Sequence, residues 1–362
     1  MNKKYSELAE LFRSEKTDEE ILDFLLNYHK NDIADMMAGM TEEERKRLYH
    51  LLGAQKVAEI FKYIEEPRKY IRELSVESAA RVISEMDSDD AVDLLEDLDP
   101  EEKEQIVRML DEDAKKDVKM LLSYDEEEIG SCMTTNYICI PEDLTIKQAM
   151  SELVKQAGEN DNIMTIYVVD EKGVFAGAID LKDLIRAREN THLKDLVLKS
   201  YPYVTDHEKI DDCMDRILDY AEDSIPVLSE DKRILGVITS EDLIEMVDNE
   251  MGEDYAKLAG LTAEEDLKEP IVQSMKKRLP WLIILLFLGM GVSSVVGLFE
   301  NVVAVLPIVI CFQSLVLDMA GNVGTQSLAV TIRVLMDENL TGKQKFQLVV
   351  KEVKTGSLNG AL

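Results

Sequence analysis

Asp89 and Asp93 stand four residues apart in SEMDSDDAVDLLEDLDPEE (84–102), a spacing that puts both carboxylates on one helix face. Like charges so placed repel, and a shared cation relieves them. A second acidic group, Glu241, Asp242, Asp248, Glu250, Glu253 and Asp254, crowds residues 241–254. Facing carboxylates at an interface between elements are drawn together by divalent ions and driven apart without them. The competing explanation is helix capping, because an Asp before an apolar-periodic helix, with acids in the first turn, also suits the helix dipole. A third constellation, Asp318-Met319-Ala320-Gly321-Asn322-Val323-Gly324-Thr325-Gln326-Ser327, interrupts apolar sequence, with Asp318, Asn322 and Gln326 at helical spacing. Carboxamides and carbonyls at membrane depth suit a hydrated hard cation, whereas Gly321 and Gly324 alone would only let helices approach.

Charge and absent motifs narrow the chemistry. The 362 residues carry 41 Lys and Arg against 73 Asp and Glu, a formal charge of −32 that disfavours nucleic acid and favours polyvalent cations. From Leu279 onward, Glu300, Asp318, Asp337, Glu338 and Glu352 balance Arg333, Lys343, Lys345, Lys351 and Lys354, so the whole excess lies in residues 1–278. The sequence has no GxxxxGK[ST], HExxH or GxSxG, and His29, His50, His192 and His207 are scattered, so an enzyme is not expected. Cys132, Cys139, Cys213 and Cys311 show neither metal-site nor disulfide spacing, and the polar N-terminus predicts no signal peptide.

The elements that must position these groups fall into three parts. Residues 1–130 carry a loose twelve-residue repeat, with Asp87, Asp99 and Asp111 as expected N-caps, and predict a superhelical all-α head. Residues 165–185 align without a gap on 224–244, offset by 59, each copy reading strand, charged turn, strand, helix start. A helix with Asp242 as N-cap is expected over 243–247, and a long linker helix over 254–268. Trp281 to Phe299 is uncharged and long enough to span a bilayer, Val302 to Leu317 follows as a second apolar run, and Lys276-Lys277-Arg278 before them places the N-terminal side in the cytoplasm, with Trp281 as interfacial anchor. Val302 to Arg333 exceeds one straight span, which sets the polar insert within the membrane. The chain closes on GSLNGAL (356–362), the opening of another apolar stretch, and two spans rarely build a transport path. The expectation is therefore a polypeptide that senses, with conduction belonging to a longer parent.

The duplicated unit resembles a tandem pair of cystathionine-beta-synthase (CBS) domains. That resemblance implies adenine-nucleotide binding, ATP included, at Thr239 and Asp242 of the Thr-x-x-Asp pattern; the first copy has Asp180 where a hydroxyl is expected. Domain order, together with SEMDSDDAVDLLEDLDPEE and AGNVGTQSLAVTIRVL (320–335), makes the whole chain similar to the MgtE family of magnesium channels and transporters. The implied architecture is multidomain α + α/β + membrane α: an acidic head (1–130), CBS domains (131–192 and 193–250), a connecting plug helix (251–278) and an incomplete transmembrane part (279–362). The resemblance further implies a homodimer in the plasma membrane, gated by Mg²⁺. The regulatory residues would be Asp89, Asp93, Asp219, Glu241, Asp248, Glu250, Glu253 and Asp254, and the pore would be lined by Asp318, Gly321, Asn322, Gly324, Thr325 and Gln326. Thr325 and Asp318 depart from the family's usual pattern, and the acidic residue of the family's last membrane helix has no counterpart. A membrane-anchored CBS nucleotide sensor is the alternative reading.

Overall fold

Short amphipathic stretches separated by capping residues build the N-terminal part. The computed structural model describes residues 17–64, 66–158, 160–188, 191–262, 270–300, 305, 307–337 and 341–361; a few helical side chains, including those of Glu250, Glu253 and Asp254, lie outside the described residues. The chain divides into two compact units, Met1–Leu243 and Ile244–Leu362. In the first, helices α1 (Asp18–Leu25), α2 (Lys30–Met37), α3 (Glu42–Phe61), α4 (Pro67–Ile71), α5 (Val76–Ser84), α6 (Ser88–Glu96), α7 (Pro100–Met109) and α8 (Glu112–Leu121) form the head. Thr17 and Thr41 start α1 and α3 through reciprocal bonds with Glu20 and Glu44, which satisfy backbone N–H groups the helix leaves open. Ile21, Leu48, Ile83 and Leu95 are fully buried and form part of its core.

The expected Asp caps hold only in part. Asp111 accepts from the Ala114 N–H at 2.9 Å. Asp87 and Asp99 occupy N-cap positions without making the cap bond. Asp99 instead pairs with Arg68 and Arg72, and Asp87 accepts from Asn136 Nδ2 at 2.8 Å. Longer-range partners outcompete the local one because an exposed helix end can use water for its free N–H groups.

The repeat becomes two three-stranded sheets. β1 (Ile138–Pro141), β2 (Thr165–Val169) and β3 (Phe175–Asp180) form one, with α9 (Ile146–Gln156) and α10 (Leu181–Arg186) in the same copy. β4 (Val204–Thr205), β5 (Ser224–Leu228) and β6 (Ile234–Thr239) form the other, with α11 (Ile210–Tyr220) and α12 (Ser240–Leu258). In each sheet the first pair is parallel and the second antiparallel. The duplication reaches the irregularities: the register shifts between Val168 and Val169 in one copy and between Val227 and Leu228 in the other, positions that match at the 59-residue offset. Thr134 bridges Val237 and Leu198 bridges Ala178, so segments flanking one copy complete the sheet of the other. Tyr167, fully buried, shares a 2.6 Å hydrogen bond with Ser224 Oγ and ties the copies into one module.

α12 departs from the expected boundaries. It begins at Ser240, so its cap is Thr239 and not Asp242: the Thr239 N–H donates to Asp242 Oδ2 at 2.7 Å, and the Asp242 N–H donates to Thr239 Oγ1 at 3.4 Å. It ends at Leu258, so of the linker helix expected over 254–268 only 254–258 is helical among the described residues; 263–269 lie outside them. Gly260 stops it at φ +76°, and the Leu261 N–H reaches back to the Ala256 carbonyl at 2.8 Å, a Schellman closure that needs a residue free to adopt the left-handed conformation.

The second unit continues with α13 (Ile271–Gly297), α14 (Pro307–Asp337) and α15 (Gly342–Ala361). Among the described residues, α13 alone is both long and apolar enough to cross a membrane by length and composition, and no residue of it is buried. Trp281, expected as an interfacial anchor, packs its ring against Gly260. α14 takes in the second apolar run from Pro307 onward and the polar insert as one helix of 31 residues, about 46 Å, which exceeds a bilayer's ~30 Å hydrocarbon core; 302–304 and 306 lie outside the described residues.

Candidate cation-binding interface

The head meets the CBS module through an acidic seam within the first unit. α6 supplies Asp89 and Asp90, its N-cap supplies Asp87, and the first turn of α12 supplies Glu241 and Asp242. Hydrogen bonds beside the seam hold the parts in register: the Thr135 N–H donates to Ser88 Oγ at 2.9 Å, and Thr135 Oγ1 donates to Asp117 Oδ2 at 2.8 Å. Tyr124 OH donates to Asp206 Oδ2 at 3.1 Å and fastens the end of the head to the second CBS copy.

Crowding marks the seam electrostatically. Asp89 Oδ1 is shut off from solvent and has no hydrogen-bond partner. Burial, followed by the charges of Asp242 and Asp90, raises its carboxyl well above the usual carboxylate range. Asp90 is pushed up to about 7 by burial, with Lys62 opposing and Asp87 and Asp242 adding to the shift. Burial also raises Asp242. The Lys62 Nζ stands 3.1 Å from Glu241 Oε2, 3.8 Å from Asp87 Oδ2 and 4.0 Å from Asp90 Oδ2. Burial works against its charge, yet Asp90, Glu241 and Asp87 together hold the ammonium protonated above its ordinary range. Cys132 nearby is a free thiol raised to about 11, chiefly by burial, which leaves it inert.

The seam unites three of the residues singled out from sequence: Asp89, Glu241 and Asp242. Asp93 lies one turn on from Asp89 and is exposed; Asp219 is exposed on the last turn of α11, and Asp248 is exposed on α12. Glu250, Glu253 and Asp254 belong to α12, with side chains outside the described residues. Asp87, Asp90 and Lys62 were not foreseen. The acidic pair was readable as capping, and Lys62 has the look of an ordinary cation at a helix C-terminus. Among the described residues, no three His, Cys, Asp or Glu side chains converge into a set that could hold a metal by itself.

The polar insert of α14 is helical throughout. Asp318, Gly321, Asn322, Thr325 and Gln326 share one side of that helix by its periodicity, and Gly324 falls off it. The carbonyls expected to be exposed there are taken up by the helix, and Thr325 Oγ1 donates to the Gly321 carbonyl at 3.1 Å.

A model of the MgtE intracellular N domain matches residues 28–127, and the CBS-domain model matches 127–190 and 193–249. The magnesium transporter MgtE of Enterococcus faecalis is 37% identical over 366 residues, which cover all of this chain and 80% of that protein. The chain belongs to the MgtE family. It spans about half, 53%, of the length of two further relatives of that name. The first unit's fold follows the crystal structure of the soluble part of a magnesium transporter (TM-score 0.65, 29% identity, 68% of this chain and 98% of that one). The cytosolic domain of the Mg²⁺ channel MgtE in complex with ATP is similar as well (TM-score 0.60, 27% identity, 67% and 99%).

Within this MgtE-family chain a second feature escaped the sequence. A cavity of about 470 Å³ in the CBS module is lined by Lys199, Tyr201, Tyr203, Arg216, Tyr220 and Ile225 among others, and neither Thr239 nor Asp242 lines it. Aromatic rings beside two cations are the chemistry a nucleotide uses. The residues come from three separate segments, 199–208, α11 and β5, so no local motif announced them.

Proposed function

We infer that this chain is a magnesium channel or transporter subunit, and not an enzyme, whose cytosolic part senses Mg²⁺ at the acidic seam. The observation that carries the reading is the solvent-shielded, partnerless Asp89 Oδ1 facing a crowd of carboxylates contributed by both the head and the second CBS copy. Mg²⁺ retains several of its waters and binds through one or two carboxylates, so a seam that offers scattered oxygens and no complete cage suits it. Asp89, Asp90 and Asp242 would hold the hydrated ion. Its charge would neutralise the repulsion and draw the head onto the module, while ion loss would let them part. Asp93, Asp219, Asp248, Glu250, Glu253 and Asp254 complete the proposed regulatory set along α6, α11 and α12.

The membrane part works as a homodimer in the plasma membrane, multi-pass and with its N-terminus cytoplasmic. The Lys276-Lys277-Arg278 cluster ahead of the apolar part of α13 supports that orientation. The ion path runs along the side of α14 that carries Asp318, Gly321, Asn322, Thr325 and Gln326, and Gly324 provides close packing on another side. An adenine nucleotide occupies the cavity of Tyr203, Tyr220, Lys199 and Arg216. The placement rests on the cavity's lining, and nucleotide binding as such is supported by the ATP complex of the similar cytosolic domain.

Limited proteolysis of the full chain, titrated with Mg²⁺ at constant ionic strength, tests the sensing. Saturable protection between the head and the CBS module is expected, and none from NaCl at equal ionic strength. Asp89→Asn with Asp242→Asn should flatten the Mg²⁺ titration. An unchanged midpoint in that double variant would remove the seam from the mechanism.

A further inference from the structure

The ammonium of Lys62 lies in the seam where an ion would be expected to act. Lys62 is the C-cap residue of α3, and its half-buried side chain leaves the head to reach Glu241 on the first turn of α12, at 3.1 Å. On its own side it lies 3.8 Å from Asp87 and 4.0 Å from Asp90. A single positive charge therefore touches three carboxylates from both parts of the seam. Lysine suits such a position because its ammonium is compact, strongly hydrated and carried on a flexible stem, so it approximates a monovalent ion on a tether.

We propose that Lys62 is a built-in counter-cation that partly closes the seam when no divalent ion is bound and competes with the ion for the same carboxylates, thereby setting the concentration at which the head locks. The second clause rests on the cation-sensing reading; the first does not. Without Lys62 the seam is more negative. The ion-free state then loses its internal clamp, while the attraction for a divalent ion grows. The two effects have opposite signs in two separable measurements, which distinguishes this role from simple packing.

The experiment is hydrogen–deuterium exchange of the full chain in detergent, following Ser88–Glu96 and the start of α12, for wild type, Lys62→Met and Lys62→Arg. In chelator, Lys62→Met should lose protection of these segments and Lys62→Arg should keep it. In a Mg²⁺ titration, the Lys62→Met midpoint should fall by roughly two- to fivefold, the size expected of a half-exposed, screened charge. Protection in chelator equal to wild type overturns the proposal, as does a midpoint that is unchanged or raised. Glu241→Gln, which removes the partner across the seam and leaves α3 intact, should reproduce the loss in chelator and guards against a folding defect in Lys62→Met. A wild type that ignores Mg²⁺ but loses chelator-state protection on Lys62→Met would sink the sensing reading and the competition, and uphold the clamp.

Discussion

Two ion pairs show how burial decides what a single side chain is worth. Arg45 and Glu73 are both nearly inaccessible, with side chains 8% and 10% exposed. The Arg45 Nε donates to Glu73 Oε2 at 2.9 Å, its Nη1 donates to the Met37 carbonyl at 3.3 Å, and its guanidinium lies 5.2 Å from the Tyr70 ring centre. Glu73→Ala would strand a buried charge, and urea unfolding should show a loss of about 3–5 kcal/mol. His207 is the opposite case, an exposed side chain with Nδ1 2.9 Å from Glu128 Oε1. The Glu128 bond first, and then Asp206, raise the imidazole above its ordinary 6.5. A raised folded-state value means that the link is complete below 6.5 and disappears as pH climbs through the raised value. NMR titration should place the His207 midpoint above 6.5, and Glu128→Gln should bring it back down. A midpoint at or below 6.5 in wild type would rule the pairing out.

Elements end where local chemistry ends them, and α12 is the clearest instance. The left-handed Gly260 both closes the helix and leaves room for the Trp281 ring, and the Thr262 N–H then reaches the Lys277 carbonyl at 3.2 Å. A methyl group at Gly260 meets a left-handed backbone penalty of about 1–2 kcal/mol and a clash with the indole. Since Trp281 is the chain's sole tryptophan, Gly260→Ala should change its emission spectrum; an unaltered spectrum would argue that the ring does not pack there. The same turn shows what the sequence concealed. The 59-residue repeat was legible down to its strands because alternation and β-branched residues are local signals. The end of α12 was missed because acidic, helix-favouring residues continue past a glycine whose stopping role depends on its φ. The seam was half legible: Asp89, Glu241 and Asp242 belong to conspicuous acidic runs, whereas Lys62 meets Glu241 across 179 positions of chain that only the fold brings together.

For the whole molecule, charge and hydropathy separate along the chain, and each governs a different behaviour. The full excess of negative charge lies before Leu279, while α13, 27 residues or about 40 Å long, has no buried residue and is long and apolar enough to cross a bilayer. The −32 does not set orientation, because acidic residues contribute little to topology and large domains are tolerated on either side. On the proposed orientation Lys276, Lys277 and Arg278 would contribute, since they lie within the few residues flanking the apolar stretch of α13, where basic charge favours the cytoplasmic side. The chain should therefore stay with membranes through alkaline carbonate extraction. Protease added to inverted vesicles should digest the segment before Leu279, and protease outside sealed, right-side-out vesicles should spare it. Changing Lys276, Lys277 and Arg278 together to Glu should move a measurable fraction of chains to the opposite orientation. If that triple variant keeps full one-sided digestion, orientation is set elsewhere, since the contact of Lys277 with Thr262 is made by its backbone carbonyl and does not depend on the basic side chain.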